Sequence, residues 1–300
     1  MIVSPDGFII IDAPSLSERT TIRLGGNAIA EVRISSLDSL DVLPDLLDCL
    51  GGRISIVGEG SNIIAADGEL PLLLLSLAQM DAPRVVKEEG DAVWLEADAG
   101  MRLPALLSHA AGLGLSGLEG LCGIPGNVGG ALRMNAGSFG VEMSQLTCAV
   151  RLFSPLLGLV DRTAEEFTFG YRHCSLQGHP DWFLVCAVTL KLSKGDKNAI
   201  REKMRDIYQR KQQSQPVTAW SAGCVFKNPS PEAPAGRLLE EAGMRGMKLG
   251  GMSFSSVHAN FLVNDGTGVF EEAAALINMA RDKVRAASGH SLELEVKLWP

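Results

Sequence analysis

The chain has 300 residues, 46% hydrophobic and 21% charged. That is a globular balance, with length for two or three domains and a sizeable core. A formal net charge of −8 argues against a general nucleic-acid binder, which needs clustered Lys and Arg, but leaves room for one local basic pocket.

The opening "MIVSPDGFIIIDAP" has no basic n-region and carries Asp6 and Asp12, so it does not read as a signal peptide. Strand-like and helix-like pieces then alternate. "AIAEVRI" (Ala28 to Ile34) reads as a strand. "SLDSLDVLPDLLDCL" (Ser36 to Leu50) reads as a Ser-capped helix interrupted by Pro44. "GGRISIVGEGSNIIAAD" gives a short apolar strand, a Gly-Glu-Gly turn and a second apolar piece. The strongest apolar run, "LPLLLLSLA" (Leu70 to Ala78), is about half of the ~20 residues that a membrane-spanning helix needs, so no membrane partner is expected. From there to Leu192 strands dominate, with "AVWLEADAG", "CAVRLFSP" and "WFLVCAVTLKL", and "LPALLSHAAGLG" reads as a helix ending at Gly114. The charged helical stretch "SKGDKNAIREKMRDIYQRKQQSQP" reads as a connector into a further domain. After it come a helix in "PAGRLLEEAG", a strand in "HANFLVNDG", a helix from Val269 to Ser288 and a last strand, "LELEVKLW". The elements do not alternate as simple βαβ units, so the fold class is α+β.

Six scattered cysteines (Cys49, Cys122, Cys148, Cys174, Cys186, Cys224) form no CxxC pair. Neither a zinc site nor a disulfide framework is suggested, no metal is expected, and reduced thiols in a cytoplasm are the simplest reading.

Two stretches invite a ligand. In "GEGSN" (Gly58, Glu59, Gly60, Ser61, Asn62) small residues after an apolar strand allow successive N–H groups to face one concavity, as suits a phosphate. A tight turn between strands is the alternative. The sequence is neither a P-loop nor GxGxxG. "GLSGLEGLCGIPGNVGGALRMNAGSFG" (Gly114 to Gly140) has nine glycines in 27 residues and one acid, Glu119. Pro125 stiffens it, and Leu115, Leu118, Leu121, Ile124 and Val128 call for burial. A flexible linker is polar; a buried, glycine-rich, nearly uncharged stretch suits a backbone lying against a large ligand.

These two stretches, with "TTIRLGGNA", "FGYRHCSL", "SAGCVFKNP", "AGRLLEEAGMRGMKLGG", "SSVHANFLVN" and "LELEVKL", occur in one order along nearly the whole chain. In that order they resemble the UDP-N-acetylenolpyruvoylglucosamine reductases, flavoenzymes of bacterial cell-wall precursor synthesis. The resemblance implies an FAD-binding fold of the vanillyl-alcohol-oxidase (PCMH) type in two subdomains, residues 1–75 and 76–195. A C-terminal α+β substrate-binding domain, residues 196–300, would follow. With only "QGHPDWFLV" after the Tyr-Arg motif, the chain looks like the shorter form, without an inserted tyrosine-bearing loop. The implied cofactor is non-covalent FAD. It would be held by Gly58 to Asn62, by Gly123, Ile124, Pro125, Gly126, Asn127, Gly129 and Gly130, and by Asn135, Ala136 and Gly137.

The implied substrates are NADPH, as hydride donor, and UDP-N-acetylglucosamine enolpyruvate, in a cytoplasmic monomer or weak oligomer. Hydride delivered to the enolpyruvyl methylene leaves a carbanion conjugated to the carboxylate, which needs positive charge and a general acid. Arg172 matches the family's catalytic arginine, and its planar fork suits a carboxylate or enolate. Glu295 matches the catalytic glutamate; beside an anionic intermediate its pKa would be raised. On an ideal strand Glu293 and Glu295 share a face, so periodicity does not separate them. Cys224 stands where the family more often has serine as proton donor, and a thiol near pKa 8.5 is mostly protonated at neutral pH. The alternative is a small buried hydrophobe. Cys174 replaces the usual serine of the Tyr-Arg motif, and Asn127 the usual threonine of the glycine loop. Lys227 and Asn228 suit the UDP moiety, and Arg210 and Gln215 could assist. His258 and Asn260 are either structural or pocket-lining. Another FAD-linked oxidoreductase of the same fold remains an alternative, as does a non-catalytic binding protein.

Overall fold

The computed structural model describes residues 6–178 and 182–299; His179 to Asp181, within the "QGHPDWFLV" segment, and the first five residues lie outside the described residues. Two compact units form, each assembled from separated segments. One comprises residues 1–12, 30–58 and 72–210, the other residues 13–29, 59–71 and 211–300.

The first unit is built on two sheets. The larger runs, in order, Gly158–Thr163, Thr147–Ser154, Leu184–Lys194, Ala92–Asp98 and Arg84–Glu89, with the short Leu115–Ser116 added to the far end of Leu184–Lys194. All its pairings are antiparallel. Strand Ala92–Asp98 alternates buried Val93, Leu95 and Ala97 with partly exposed neighbours, the period-2 pattern of a sheet with one covered face. Helix Leu103–Leu113 packs Leu103, Leu106, Leu107 and Ala110 into the same core. Gly114 ends that helix in the left-handed region at φ 77°, as the sequence predicts.

The second sheet orders Phe8–Asp12, Asn27–Ile34, Glu69–Leu77 and Arg53–Ile56, of which residues 27–29 and 69–71 are counted with the second unit. The apolar run around Leu72 to Leu75 is its fully buried strand, explaining an apolar stretch too short for a membrane. Pro44 does not interrupt a single helix. A 3₁₀ segment, Leu37–Val42, leads into the α-helix Leu43–Leu50, and Pro44 sits in its first turn, where a missing N–H costs no intrahelical bond.

The second unit has a four-stranded sheet in the order Trp220–Cys224, Phe261–Asn264, Met252–Phe254 and Lys248–Leu249. Helices Ala235–Glu241 and Phe270–Ser288 bury Leu238, Leu239, Ala273, Leu276, Ile277, Ala280 and Val284 in its core. A parallel pair, Ile63–Ala65 with Lys297–Trp299, belongs to the same unit. The predicted strand "LELEVKLW" is shorter than expected. Leu294 makes one bridge to Phe226, the chain bends at Glu295 and Val296, and pairing resumes at Lys297. No described helix is long and apolar enough to cross a membrane.

Gly26 shows where close approach requires glycine, since a Cβ there would overlap the backbone of Gly68. Gly26→Ala is expected to lower stability by about 1–3 kcal/mol through overpacking. Gly112→Ala, in an exposed helical position with nothing within 4 Å of the new methyl, is expected to be neutral or stabilising by up to about 1 kcal/mol. Denaturant unfolding of both variants checks the contrast.

Candidate functional site

The Tyr-Arg motif forms a hairpin in the first unit. Strands Phe167–Gly170 and His173–Leu176 pair in register, leaving Tyr171 and Arg172 as a two-residue loop. Arg172 lies at φ 57°, a conformation that favours glycine, and its guanidinium carbon stands 5.0 Å from the Tyr171 ring centroid. The end of the glycine-rich stretch grips both strands of this hairpin. Arg133 Nη1 donates to the Cys174 carbonyl at 2.9 Å, and Asn135 Nδ2 donates to the Gly170 carbonyl at 3.1 Å. Asn135 also donates to Glu142 Oε2 at 3.0 Å and accepts from the Ser144 N–H at 2.9 Å. Its side chain is therefore buried and spent on the scaffold around Arg172. Cys174 is buried too, which pushes its thiol up to about 11, and the nearby Arg133 only partly offsets this.

The glycine-rich stretch has two reasons for its composition. Part is internal packing: a Cβ at Gly120 would stand 2.7 Å from the Ser138 carbonyl, and one at Gly129 2.9 Å from the Ala99 Cβ. Part is open backbone: exposed Gly130 has nothing within 4 Å of its absent Cβ, while Gly123 (φ 79°) and Gly126 (φ 105°) shape the loop around exposed Pro125. Its single acid, Glu119, is structural. Burial opposes its ionisation, but bonds from the Ser116 hydroxyl at 2.6 Å and the Gly117 N–H at 2.9 Å outweigh that and hold the carboxyl below its usual range.

Asn127 Nδ2 is anchored on the Gly100 carbonyl at 2.6 Å, while its Oδ1 is buried with no hydrogen-bond partner. An unmet acceptor, an open glycine backbone and little charge fit a large ligand rich in donors, such as the ribityl chain and amides of FAD. The other expected members differ in exposure: Ile124 is half-buried, Ala136 buried and Gly137 half-buried.

The "GEGSN" stretch straddles the two units, with Gly58 in the first and Glu59 to Asn62 in the second. No helix follows it. Gly60 is buried at φ 63°, and a Cβ there would overlap the Arg19 carbonyl.

Within the second unit the segments bearing Cys224 and Glu295 are backbone neighbours. Strand Trp220–Cys224 carries a bulge between Ser221 and Cys224, with Gly223 at φ 79°. Beyond it the Glu295 N–H donates to the Val225 carbonyl at 2.8 Å, and the Lys227 N–H donates to the Glu293 carbonyl at 2.9 Å. The bend separates the two glutamates that strand periodicity leaves equivalent. Glu293 is exposed, 3.6 Å from Lys227 Nζ, while Glu295 is half-buried. Three further residues hold this region. Thr21 Oγ1 donates to the Ser221 carbonyl at 2.6 Å, and Asn264 Nδ2 to the Ile22 carbonyl at 3.0 Å. Asn260 clamps Phe226, accepting from its N–H at 3.0 Å and donating to its carbonyl at 2.8 Å. Sequence reasoning missed Thr21 and Asn264, although both lie in motifs it singled out; only partners more than 190 positions away reveal their role.

Of the residues expected to line a substrate pocket, Asn260 is buried in that clamp, and Asn228 Oδ1 accepts from the Ala235 N–H at 2.9 Å, at the start of a helix. His258 Nδ1 accepts from the Asn260 N–H at 3.2 Å, and its ring packs edge-on against Phe261 at 5.0 Å. Arg210 is exposed near the end of the helix Lys197–Ser214, and Gln215 is half-buried just after it. Among the described residues no group of His, Cys, Asp and Glu could hold a metal ion.

Residues 40–154 match a family described as FAD binding domain, and residues 215–299 match UDP-N-acetylenolpyruvoylglucosamine reductase, C-terminal domain. The UDP-N-acetylenolpyruvoylglucosamine reductase of Nitratidesulfovibrio vulgaris is 51% identical over 96% of this chain and 98% of its own length. That of Oleidesulfovibrio alaskensis is 49% identical, over 97% and 98%. This chain belongs to the UDP-N-acetylenolpyruvoylglucosamine reductase family. The crystal structure of the Thermus caldophilus reductase superposes with a TM-score of 0.82 at 33% identity, covering 98% of this chain and all of that one. The expected α+β architecture stands: an FAD-binding domain followed by the reductase C-terminal domain. As a member of the reductase family, the chain is an FAD oxidoreductase of peptidoglycan synthesis.

Burial, with the positive charge of Arg245 adding to it, holds His258 below its ordinary pKa. A lowered folded pKa means that the unfolded chain takes up the proton first. The stabilisation is therefore complete above about pH 6.5 and is lost as pH falls below it. Denaturant midpoints between pH 7.5 and pH 5.5 are expected to fall further in the parent than in His258→Gln.

Proposed function

We propose that this chain reduces UDP-N-acetylglucosamine enolpyruvate to UDP-N-acetylmuramate with NADPH, in the cytoplasm, through Arg172, Cys224 and Glu295. FAD would be held at the Asn127 amide and the open glycine backbone around Gly130, and would supply two-electron hydride chemistry linking NADPH to the enolpyruvyl double bond. The chain's own residues then have three tasks. The Arg172 guanidinium offers a planar pair of N–H groups to the substrate carboxylate, whose negative charge spreads as the adjacent carbon becomes enolate-like. The Cys224 thiol donates its proton to that carbon, completing the addition of H⁻ and H⁺ across the double bond; the thiolate regains a proton from solvent. The Glu295 carboxyl polarises and orients the enolate during that transfer.

The observation carrying this reading is the 2.8 Å bond from the Glu295 N–H to the Val225 carbonyl, which makes the glutamate a backbone neighbour of the segment starting at Cys224. Supporting it, Arg172 is held in a left-handed loop conformation by a hairpin that the glycine-rich stretch braces at both strands. Lys227, three residues after Cys224, supplies a cation for the diphosphate, and its ion pair with exposed Glu293 is readily exchanged.

The test follows the two halves separately. Purified protein is expected to be yellow, to bleach with NADPH under anaerobic conditions, and to recover its colour with the enolpyruvyl substrate. Cys224→Ala is expected to bleach normally and to lose recovery by at least about 100-fold, the scale of a general-acid contribution. Recovery at the parental rate would remove Cys224 from the chemistry; a colourless protein would remove the flavoenzyme reading itself.

A further inference from the structure

Asn62 stands in the stretch that sequence reading assigns to FAD, yet its side chain is directed to the other end of the chain. Nδ2 donates to the Glu295 carbonyl at 3.0 Å, and the Asn62 carbonyl accepts from the Lys297 N–H at 2.8 Å. From Ile63 and Lys297 onward the two segments pair as parallel strands. At Glu295 the chain bends and that ladder is not in force, so the Asn62 amide stands in for a backbone donor.

The consequence is local and geometric. The peptide plane before the Glu295 Cα is held through its N–H by the Val225 carbonyl at 2.8 Å. The plane after it is held through its carbonyl by Asn62 at 3.0 Å. Each peptide is rigid, so fixing both planes fixes φ and ψ between them and with them the direction of the Cα–Cβ bond. A residue in a bend has no regular ladder to do this.

We infer that Asn62 is a positioning residue for the Glu295 carboxyl, acting through the Glu295 carbonyl, rather than a side-chain ligand of the cofactor. The inference rests on the reading above that Glu295 takes part in the chemistry. It extends the constellation to a residue 233 positions away. It also gives the short "GEGSN" stretch a second task, since its last residue sets the aim of a group that acts on the substrate.

The experiment uses the FAD-loaded protein and four forms: Asn62→Ala, Asn62→Asp, Glu295→Gln and the double variant Asn62→Ala/Glu295→Gln. Flavin content and the rate of bleaching by NADPH are measured first, then the rate at which substrate reoxidises the reduced protein. Asn62→Ala and the near-isosteric Asn62→Asp are expected to keep flavin content and bleaching within about twofold of the parent. Their reoxidation by substrate is expected to slow about tenfold or more, the cost of a misaimed group. In the Glu295→Gln background, Asn62→Ala is expected to add less than about twofold, because the group it aims is already gone. Flavin lost from both Asn62 variants would return the residue to the cofactor site and overturn the inference. Equal slowing with and without the Glu295 carboxyl would make Asn62 merely structural and overturn it as well. Parental reoxidation in Glu295→Gln would instead sink the catalytic assignment of Glu295, and this inference with it.

Discussion

The carbonyl of Val225 accepts from the Glu295 N–H at 2.8 Å and lies within 3.4 Å of the Val296 N–H. Much of the second unit is arranged around that acceptor. On one side the strand Trp220–Cys224 needs a bulge and a left-handed glycine to deliver Val225 there. On the other, the C-terminal segment must leave its ladder at a bend before pairing again at Lys297. A bulge and a bend each leave backbone groups without regular partners, and buried backbone groups need partners. The side chains of Thr21, Asn260 and Asn62 meet that need, each by bonding a main-chain atom.

The same economy operates in the first unit. Arg172 sits in a loop of two residues, in a conformation that costs a bulky side chain about 1–3 kcal/mol and persists only where its surroundings enforce it. The enforcement comes from Arg133 and Asn135 on the two hairpin strands, and Asn135 is itself fixed by Glu142 and Ser144. Polar residues in the glycine-rich stretch thus serve the neighbouring hairpin as much as any ligand. The glycines divide in the same way, with Gly120 and Gly129 packed against other segments and Gly130 left open.

Legibility in the sequence followed the range of the interactions. Helix Leu103–Leu113 and its Gly114 cap depend on neighbours within one turn, and the sequence pattern predicts both. The α+β class and the long strands were equally readable from composition and turn residues. The end of the chain was not. "LELEVKLW" has the alternation of a continuous strand, and nothing local in it signals a bend at Glu295. The break exists because the segment pairs first with Phe226 and then with Ile63, two partners far apart in sequence.

By itself, the sequence determined the family, through eight ordered motifs, the short-range elements, and which residue types were available for flavin binding, carboxylate recognition and proton transfer. Only the tertiary structure decided how those types are used. It left Glu293 exposed beside Lys227 and half-buried Glu295, committed Asn260 to the Phe226 peptide, and tied Asn62 to a carbonyl 233 positions away. The physical reason is that a hydrogen bond is satisfied by whichever partner the fold brings within about 3 Å, and that distance has no counterpart in sequence separation.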